Sequence, residues 1–262
     1  MNILLNGICG HMGREVVKLA DSGYRGANIT VGVDISASGS EAPISVKTFN
    51  DVIKINDVDC IIDFSHHSCI SELLAFAVKN NIPTVVSTTG HTAEEINEIY
   101  EASRHIPIFF SANMSLGVAL LVELAKKAAL AMPDAEIEII EKHHDRKLDA
   151  PSGTALMIAN AIIDVRGDAY VNNGRSGHGK REFNEIGIHA IRMGNIVGVH
   201  EVILGTQNQT ITLKHEAHSR ALFAEGAIAA AEFLVECDKG LYDMNSLISG
   251  VSKKDAELTA SV

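Results

Sequence analysis

The stretch that decides the fold is "NILLNGICGHMGRE", residues 2 to 15, in which a short apolar run breaks at Asn6 into three glycines and then turns helical. Gly7, Gly10 and Gly13 are spaced G-x-x-G-x-x-G. Glycine at such a turn permits backbone angles and close approaches that a Cβ blocks, and lets the amides of a helix N-terminus face a pyrophosphate. The loop, Gly7, Ile8, Cys9, Gly10, His11, Met12 and Gly13, is therefore a candidate dinucleotide cradle. About 20 residues on, at the end of the next apolar run "NITVGV", stands Asp34, where a carboxylate accepts hydrogen bonds from an adenosine ribose. The competing readings are a glycine turn that only packs helix against strand, and an Asp34 that only forms a turn.

Outward from the loop the pattern repeats. "VDCIIDF" (58 to 64), "IPTVVS" (82 to 87) and "IPIFFS" (106 to 111) are strand-like, and helical patterns lie between them at 12–21, 69–79 and 92–103. Strands apolar on both faces, alternating with helices, define an α/β fold: a Rossmann-like doubly wound parallel sheet. Ligands of such sheets bind beyond the carboxyl ends of the strands. That places Ser87, Thr88 and Thr89, and Ser111, Ala112, Asn113 and Met114, beside the cofactor. "ISASGS" (35 to 40) offers no basic side chain to a 2′-phosphate, so the sequence leans to NADH over NADPH, although Arg14 or Lys47 can approach from elsewhere.

After Asn113 the pattern changes. A helix is expected over 116–131, a strand over 135–144 and a helix over 154–163, followed by a polar, glycine-rich connection, "VNNGRSGHGKREFNE". Three strand-like runs then follow without helices between them, which predicts a second α+β domain with a mixed sheet. A final helical run, "ALFAEGAIAAAEFLVECDKG", is free to return to the first domain. The expected organisation is a dinucleotide-binding domain of residues 1–113 and 222–262, and a substrate-binding and oligomerisation domain of residues 114–221.

Composition narrows the function classes. A formal net charge of −11 disfavours a general nucleic-acid surface. Cys9, Cys60, Cys69 and Cys237 form no C-x-x-C pair, and Met1 leads into "NILLNG" without a secretory signal, so a cytoplasmic location is expected. The longest apolar stretch, from Ile106, is interrupted by Ser111, Asn113, Ser115 and Glu123 and reads as strand then helix, not as a membrane span.

The second chemical cluster is "EKHHDRKLDAPSGTA" (141 to 155). Ser152, Gly153 and Thr154 follow Pro151 where a helix begins, so their amides and hydroxyls converge on a carboxylate. Lys147, His143 and His144 supply cationic donors or a proton. Adjacent histidines on a strand point to opposite faces and so differ in role. Neither a His-x-x-x-His helix pattern nor a clustered cysteine accompanies them, and no metal is expected. The pattern describes a site for a small acidic substrate.

Taken together, "GICGHMGR", "DFS", "STTG", "ANMSLGV", "EKHHDRKLDAPSGTA", "IRMGNIVGVHEVILG", "SRALFAEGA" and "GLYDM" resemble, in order and nearly end to end, the 4-hydroxy-tetrahydrodipicolinate (dihydrodipicolinate) reductase family. The resemblance implies NAD(P)H-dependent reduction of a cyclic dicarboxylate in diaminopimelate and lysine biosynthesis. It implies proton donation by His143 or Lys147, and carboxylate binding by His144, Gly153 and Thr154 with Ser152 as a further contact. It also implies a C-terminal return to the first domain and a homotetramer that the second domain's sheet helps to build; a hinge between the domains is expected to bring the two half-sites together, as in other enzymes. Cys9 and His11 stand where members often carry Gly and Arg, and Met114 where an aromatic is common. Two alternatives stay open at this level: another nicotinamide-dependent amino-acid or imine dehydrogenase, and a non-enzymatic NADH sensor.

Overall fold

β1 (Asn2–Asn6) is an interior strand of a parallel sheet, and Ile3, Leu4 and Leu5 are accordingly all fully buried, apolar on both faces. The computed structural model describes residues 1–52 and 57–250. Residues 53–56 and 251–262, the latter the end of the segment assigned from sequence to the first domain, lie outside the described residues. The chain divides into two units, Met1–Leu116 with Arg220–Val262, and Gly117–Ser219.

In the first unit β1 leads to α1 (His11–Asp21), β2 (Asn28–Val33), β3 (Ile44–Val46), β4 (Cys60–Asp63), α2 (Ile70–Asn80), β5 (Thr84–Val86), α3 (Ala93–Ser103) and β6 (Pro107–Phe110). The second unit carries α4 (Leu116–Ala131), β7 (Glu136–His143), α5 (Gly153–Arg166), β8 (Tyr170–Asn173), β9 (Glu185–Arg192), β10 (Gly198–Gly205) and β11 (Thr210–Ala217). The chain then adds α6 (Ala221–Leu234), β12 (Gly240–Tyr242) and α7 (Met244–Ser249) to the first unit.

Among the described residues the first sheet has the order β12-β6-β5-β4-β1-β2-β3, with every pairing parallel. The chain leaves β1 toward β2 on one side and returns to β4 on the other, so the strand order reverses beside β1. A crevice opens at such a reversal, and the glycine loop sits there. α6 packs on α1 and across β4 to β6, presenting Ala224, Ala227, Ala230 and Ala231, all fully buried. Its small side chains allow close approach to the sheet.

The second sheet is mixed, ordered β11-β10-β7-β9-β8. β10 runs antiparallel to β7 and β11, while β7, β9 and β8 run parallel. On β7 the period of two buries Ile137, Ile139, Glu141 and His143 on one face. Ile137 and Ile139 meet the apolar faces of α4 and α5. Beyond Ile139 the same face continues as Glu141 and His143, and this change from apolar to ionisable residues marks where the core ends.

Three short edge strands depart from the expectation. β3 and β12 have three residues each, and β8 occupies the start of what reads as a polar connection. Edge strands this short lack enough residues for a period to show, and they are specified by pairing with a neighbour: β8 with β9, β12 with β6. α5 also runs three residues past the expected Ile163, to Arg166. There the Arg166 guanidinium donates to the carbonyls of Ala129, Met132, Pro133 and Ala135, closing the C-terminal end of α4. No described helix is long and apolar enough to cross a membrane.

Candidate active site

The glycine loop is built by close backbone packing. Gly7 has φ +82° and donates to the Val33 carbonyl at 2.8 Å. A Cβ there would lie 2.4 Å from the Phe64 oxygen, and one on Gly13 would lie 2.2 Å from the Gly7 oxygen. Only glycine fits either position. Gly10 is the N-cap residue of α1. His11 is exposed on the first turn of α1, while Ile8 is buried, its side chain against Gly32. Asp34 reaches back to this loop: its Oδ2 accepts from the Cys9 amide at 3.0 Å and its Oδ1 from the Ser36 amide at 2.9 Å. The carboxylate thus fixes the loop's position, and each oxygen keeps a lone pair for a further donor.

Beneath the neighbouring strand ends Asp63 is buried. It accepts from Asn6 Nδ2 at 2.8 Å, Ser65 Oγ at 2.6 Å and Thr88 Oγ1 at 2.6 Å, tying the ends of β1, β4 and β5 together. Burial pushes its carboxyl pKa up, against the hydrogen bonds from Ser65, Thr88 and Asn6. Above it opens a cavity of about 300 Å³ whose walls include Met12, Ser65, Ser87, Thr88, Thr89 and Met114. Ala112 lines it too, and Phe223 enters from α6. Phe223, a hundred residues away in sequence from the nearest of these loops, carries no signal that reading the chain in order would find. Ser111 and Asn113 serve the turn itself: Ser111 Oγ donates to the Asn113 carbonyl at 2.9 Å, and Asn113 Oδ1 accepts from the Ser115 amide at 3.0 Å. The Ser87 hydroxyl is buried and has no hydrogen-bond partner among the described residues.

In the second unit the structure assembles a network of which the sequence reading had only part. Glu141 is fully buried on β7. Its two oxygens accept from Arg192 Nη1 and Nη2, both at 2.7 Å, from His143 Nδ1 at 2.7 Å and from the Ser152 amide at 2.9 Å. Ser152 Oγ meets His200 Nε2 at 3.1 Å and, as N-cap of α5, accepts from the Ala155 amide at 3.2 Å. The sheet register makes this compulsory, since Glu141 pairs with His200 on β10 and His143 with Arg192 on β9. Gly198 leaves room for the His143 ring: a Cβ there would lie 3.2 Å from Nε2.

Glu141, Arg192 and His200 were not singled out from sequence. Strand alternation alone puts Glu141 and His143 on one face, and that was the available signal. His144 follows β7, with its Nδ1 buried and without a hydrogen-bond partner among the described residues. Lys147 Nζ pairs with Asp149 Oδ1 at 2.8 Å, and Asp149, largely exposed, is held below the usual carboxylate range chiefly by Lys147. Gly153 and Thr154 open α5.

The electrostatics follow from burial. Burial would raise the Glu141 carboxyl, but the hydrogen bonds from Arg192, His143 and the Ser152 amide outweigh it and hold the group below its ordinary value. His143 is lowered, chiefly by burial, with Lys147 and Arg192 acting in the same direction and Glu141 opposing them. His200 is pushed down to about 4 by burial first and His143 second. Both imidazoles are therefore neutral at neutral pH.

His200 carries a pH prediction. Its folded pKa lies below the unfolded value of about 6.5, so between these values the unfolded chain binds the proton and the folded chain does not. Stability is then full above about pH 6.5 and falls by roughly 3 kcal/mol as pH drops to about 4. Urea midpoints across this range should show the loss in the parent and a shallower one in His200→Gln. Parallel curves for the two proteins would contradict the assignment.

A Rossmann-like sheet with a glycine loop at its strand reversal, in a chain that also carries a helix-covered mixed sheet, is the build of a two-domain nicotinamide-dependent oxidoreductase. Residues 1–114 match the family model described as dihydrodipicolinate reductase, N-terminus, and residues 117–248 the one described as dihydrodipicolinate reductase, C-terminus. The chain belongs to the dihydrodipicolinate reductase family. It is 43% identical over 251 residues to the 4-hydroxy-tetrahydrodipicolinate reductase of Caldanaerobacter subterraneus subsp. tengcongensis, covering 95% of this chain and 98% of that one. The enzyme of the same name from Clostridium novyi is 41% identical, covering 94% and 97%. Among solved structures, the dipicolinate-bound dihydrodipicolinate reductase from Paenisporosarcina sp. TG-14 shares the fold with a TM-score of 0.78 at 24% identity, covering 93% of this chain and 97% of that one.

Proposed function

We propose that the protein reduces 4-hydroxy-tetrahydrodipicolinate with a reduced nicotinamide coenzyme, NADH in preference to NADPH, as a step of diaminopimelate and lysine biosynthesis: the ring gains one hydride and one proton and loses its 4-hydroxyl as water, giving tetrahydrodipicolinate. The observation that carries this reading is the buried Glu141 network, which fixes His143, Ser152 and the start of α5 beside the Lys147 ammonium. A ring bearing two carboxylates needs such an arrangement of donors.

The first unit suits the coenzyme. The Ser87 hydroxyl, without a partner among the described residues and lining a cavity with Met12, Thr88, Thr89 and Met114, fits a carboxamide or ribose hydroxyl, and the Asp34 carboxylate fits a second ribose. When bound, the coenzyme supplies the hydride. The glycine loop amides would hold its pyrophosphate, and Ala112 lines the cavity, with Ser111 and Asn113 fixing the turn that carries it.

In the second unit the chain's own groups bind the ring and move the proton. The α5 N-terminus, at Gly153 and Thr154, takes one carboxylate, favoured by the helix dipole and the first-turn amides. His144 and Ser152 complete that pocket. The proton donor is Lys147. With Glu141 ionised, neutral His143 donates through Nδ1, which leaves its Nε2 an acceptor without a proton to give. The Lys147 ammonium has N–H protons to give and exchanges its bridge to the largely exposed Asp149, worth at most about 1 kcal/mol, for the substrate. The enzyme acts in the cytoplasm as a homotetramer. The exposed outer strand β11, with Ile211 38% exposed, supplies sheet surface for that assembly.

A substrate panel tests the reading. Coenzyme oxidation is expected with the freshly formed cyclic dicarboxylate and at least about 100-fold less, in kcat/KM, with acyclic amino acids or cyclic imines bearing a single carboxylate. Equal turnover of the singly charged imines would assign the chain to the wider group of imine and amino-acid dehydrogenases.

A further inference from the structure

The loop after β2 folds its donors around its own carboxylate. Glu41 Oε1 accepts from the Ser38 amide at 2.8 Å and from Ser38 Oγ at 2.6 Å, and Oε2 accepts from the amides of Gly39 and Ser40, both at 3.1 Å. Three successive amides converging on one anion form a nest, and Gly39 at φ +95° supplies the left-handed residue that such a nest needs. These donors hold the Glu41 carboxyl at about 2, led by the Ser38 hydroxyl. The nest borders a cavity of about 520 Å³ that also has Cys9, Arg14, Lys18, Ser36 and Asp21 in its walls. Cys9 and Ser36 donate to the two oxygens of Asp34, so the cavity adjoins the carboxylate that faces a ribose.

Three amides, a hydroxyl and two nearby cations, Arg14 and Lys18, are what a phosphate monoester requires. In this chain the amides and hydroxyl are already taken by a side chain of the same sign. We propose that Glu41 is a coenzyme-specificity residue: its carboxylate occupies the amide nest in which the 2′-phosphate of NADPH would otherwise sit, and so favours NADH. This rests on the dinucleotide reading of the first unit. NADH, with a free 2′-hydroxyl, leaves the nest undisturbed and uses Asp34. NADPH has either to displace Glu41 from its four donors or to place a phosphate against a carboxylate.

The test uses the full-length protein and two variants, E41A and E41Q, with binding of 2′,5′-ADP and of ADP followed by calorimetry alongside kinetics with both coenzymes. Removing the carboxylate should tighten 2′,5′-ADP about tenfold, the effect of one charge-assisted hydrogen bond, with ADP changed less than about threefold. The NADPH to NADH ratio of kcat/KM should rise about tenfold in E41A and in the same direction in E41Q. Unchanged ratios in variants that melt like the parent and still bind ADP would overturn the role of Glu41 alone. A parent protein that binds neither ADP nor NADH would overturn the dinucleotide reading, and this proposal with it.

Discussion

Glu141→Ala is expected to lower the unfolding free energy by roughly 3–5 kcal/mol and to cut kcat/KM by about 100-fold or more. The carboxylate is fully buried and accepts four hydrogen bonds. Removing it leaves the Arg192 guanidinium, only 16% exposed, without its bidentate partner, and leaves the Ser152 amide and His143 Nδ1 without acceptors. Glu141→Gln preserves shape but turns an NH₂ group toward one of these donors, so it should recover only part of the loss. The activity effect has a separate cause. Without Glu141 the His143 ring is free to take the other tautomer, and Ser152 loses the acceptor of its amide, one of the contacts that set the start of α5. Denaturant unfolding of both variants measures the first effect, and steady-state kinetics on the folded fraction the second. An unfolding midpoint equal to that of the parent would contradict the account of the network.

Lys147→Ala should reduce kcat and kcat/KM together by about 10²- to 10⁴-fold, the range for loss of a positioned general acid. Its effect on stability should stay under about 1 kcal/mol, because the bridge to Asp149 lies at a largely exposed carboxylate. His143→Ala should behave differently. A ring whose free nitrogen accepts a hydrogen bond contributes to binding and positioning, so KM should rise more than kcat falls. The comparison is decisive in either direction: a Lys147 effect confined to KM, with His143→Ala lowering kcat and kcat/KM equally, would reverse the two roles.

The sequence exposed most of the architecture because its signals are local. Ile3, Leu4 and Leu5 declare a strand buried on both faces, and Gly7 to Gly13 declare the turn that follows. The mixed sheet was legible from consecutive strands without helices. What was not legible depends on pairing across the chain. Three-residue edges such as Ile44–Val46 and Gly240–Tyr242 exist because a neighbouring strand is already there. Arg192 and His200 reach Glu141 only through the register of β9 and β10 on β7, which no spacing along the chain reveals. The acidic residue of "ISASGSE" reads as solvated loop until its carboxylate is seen inside the amides of Ser38, Gly39 and Ser40. In each case a long-range contact or a local backbone fold gave an ordinary-looking polar residue its part.

The most direct test of the central claim is hydride transfer itself. The protein is given 4-hydroxy-tetrahydrodipicolinate made in place and NADH carrying deuterium at the transferable position of the nicotinamide ring, and the product is weighed by mass spectrometry. The account predicts tetrahydrodipicolinate carrying one carbon-bound deuterium for each coenzyme oxidised, with the yield collapsing in Lys147→Ala. Coenzyme that stays reduced, or is oxidised without the label reaching the ring, would contradict it.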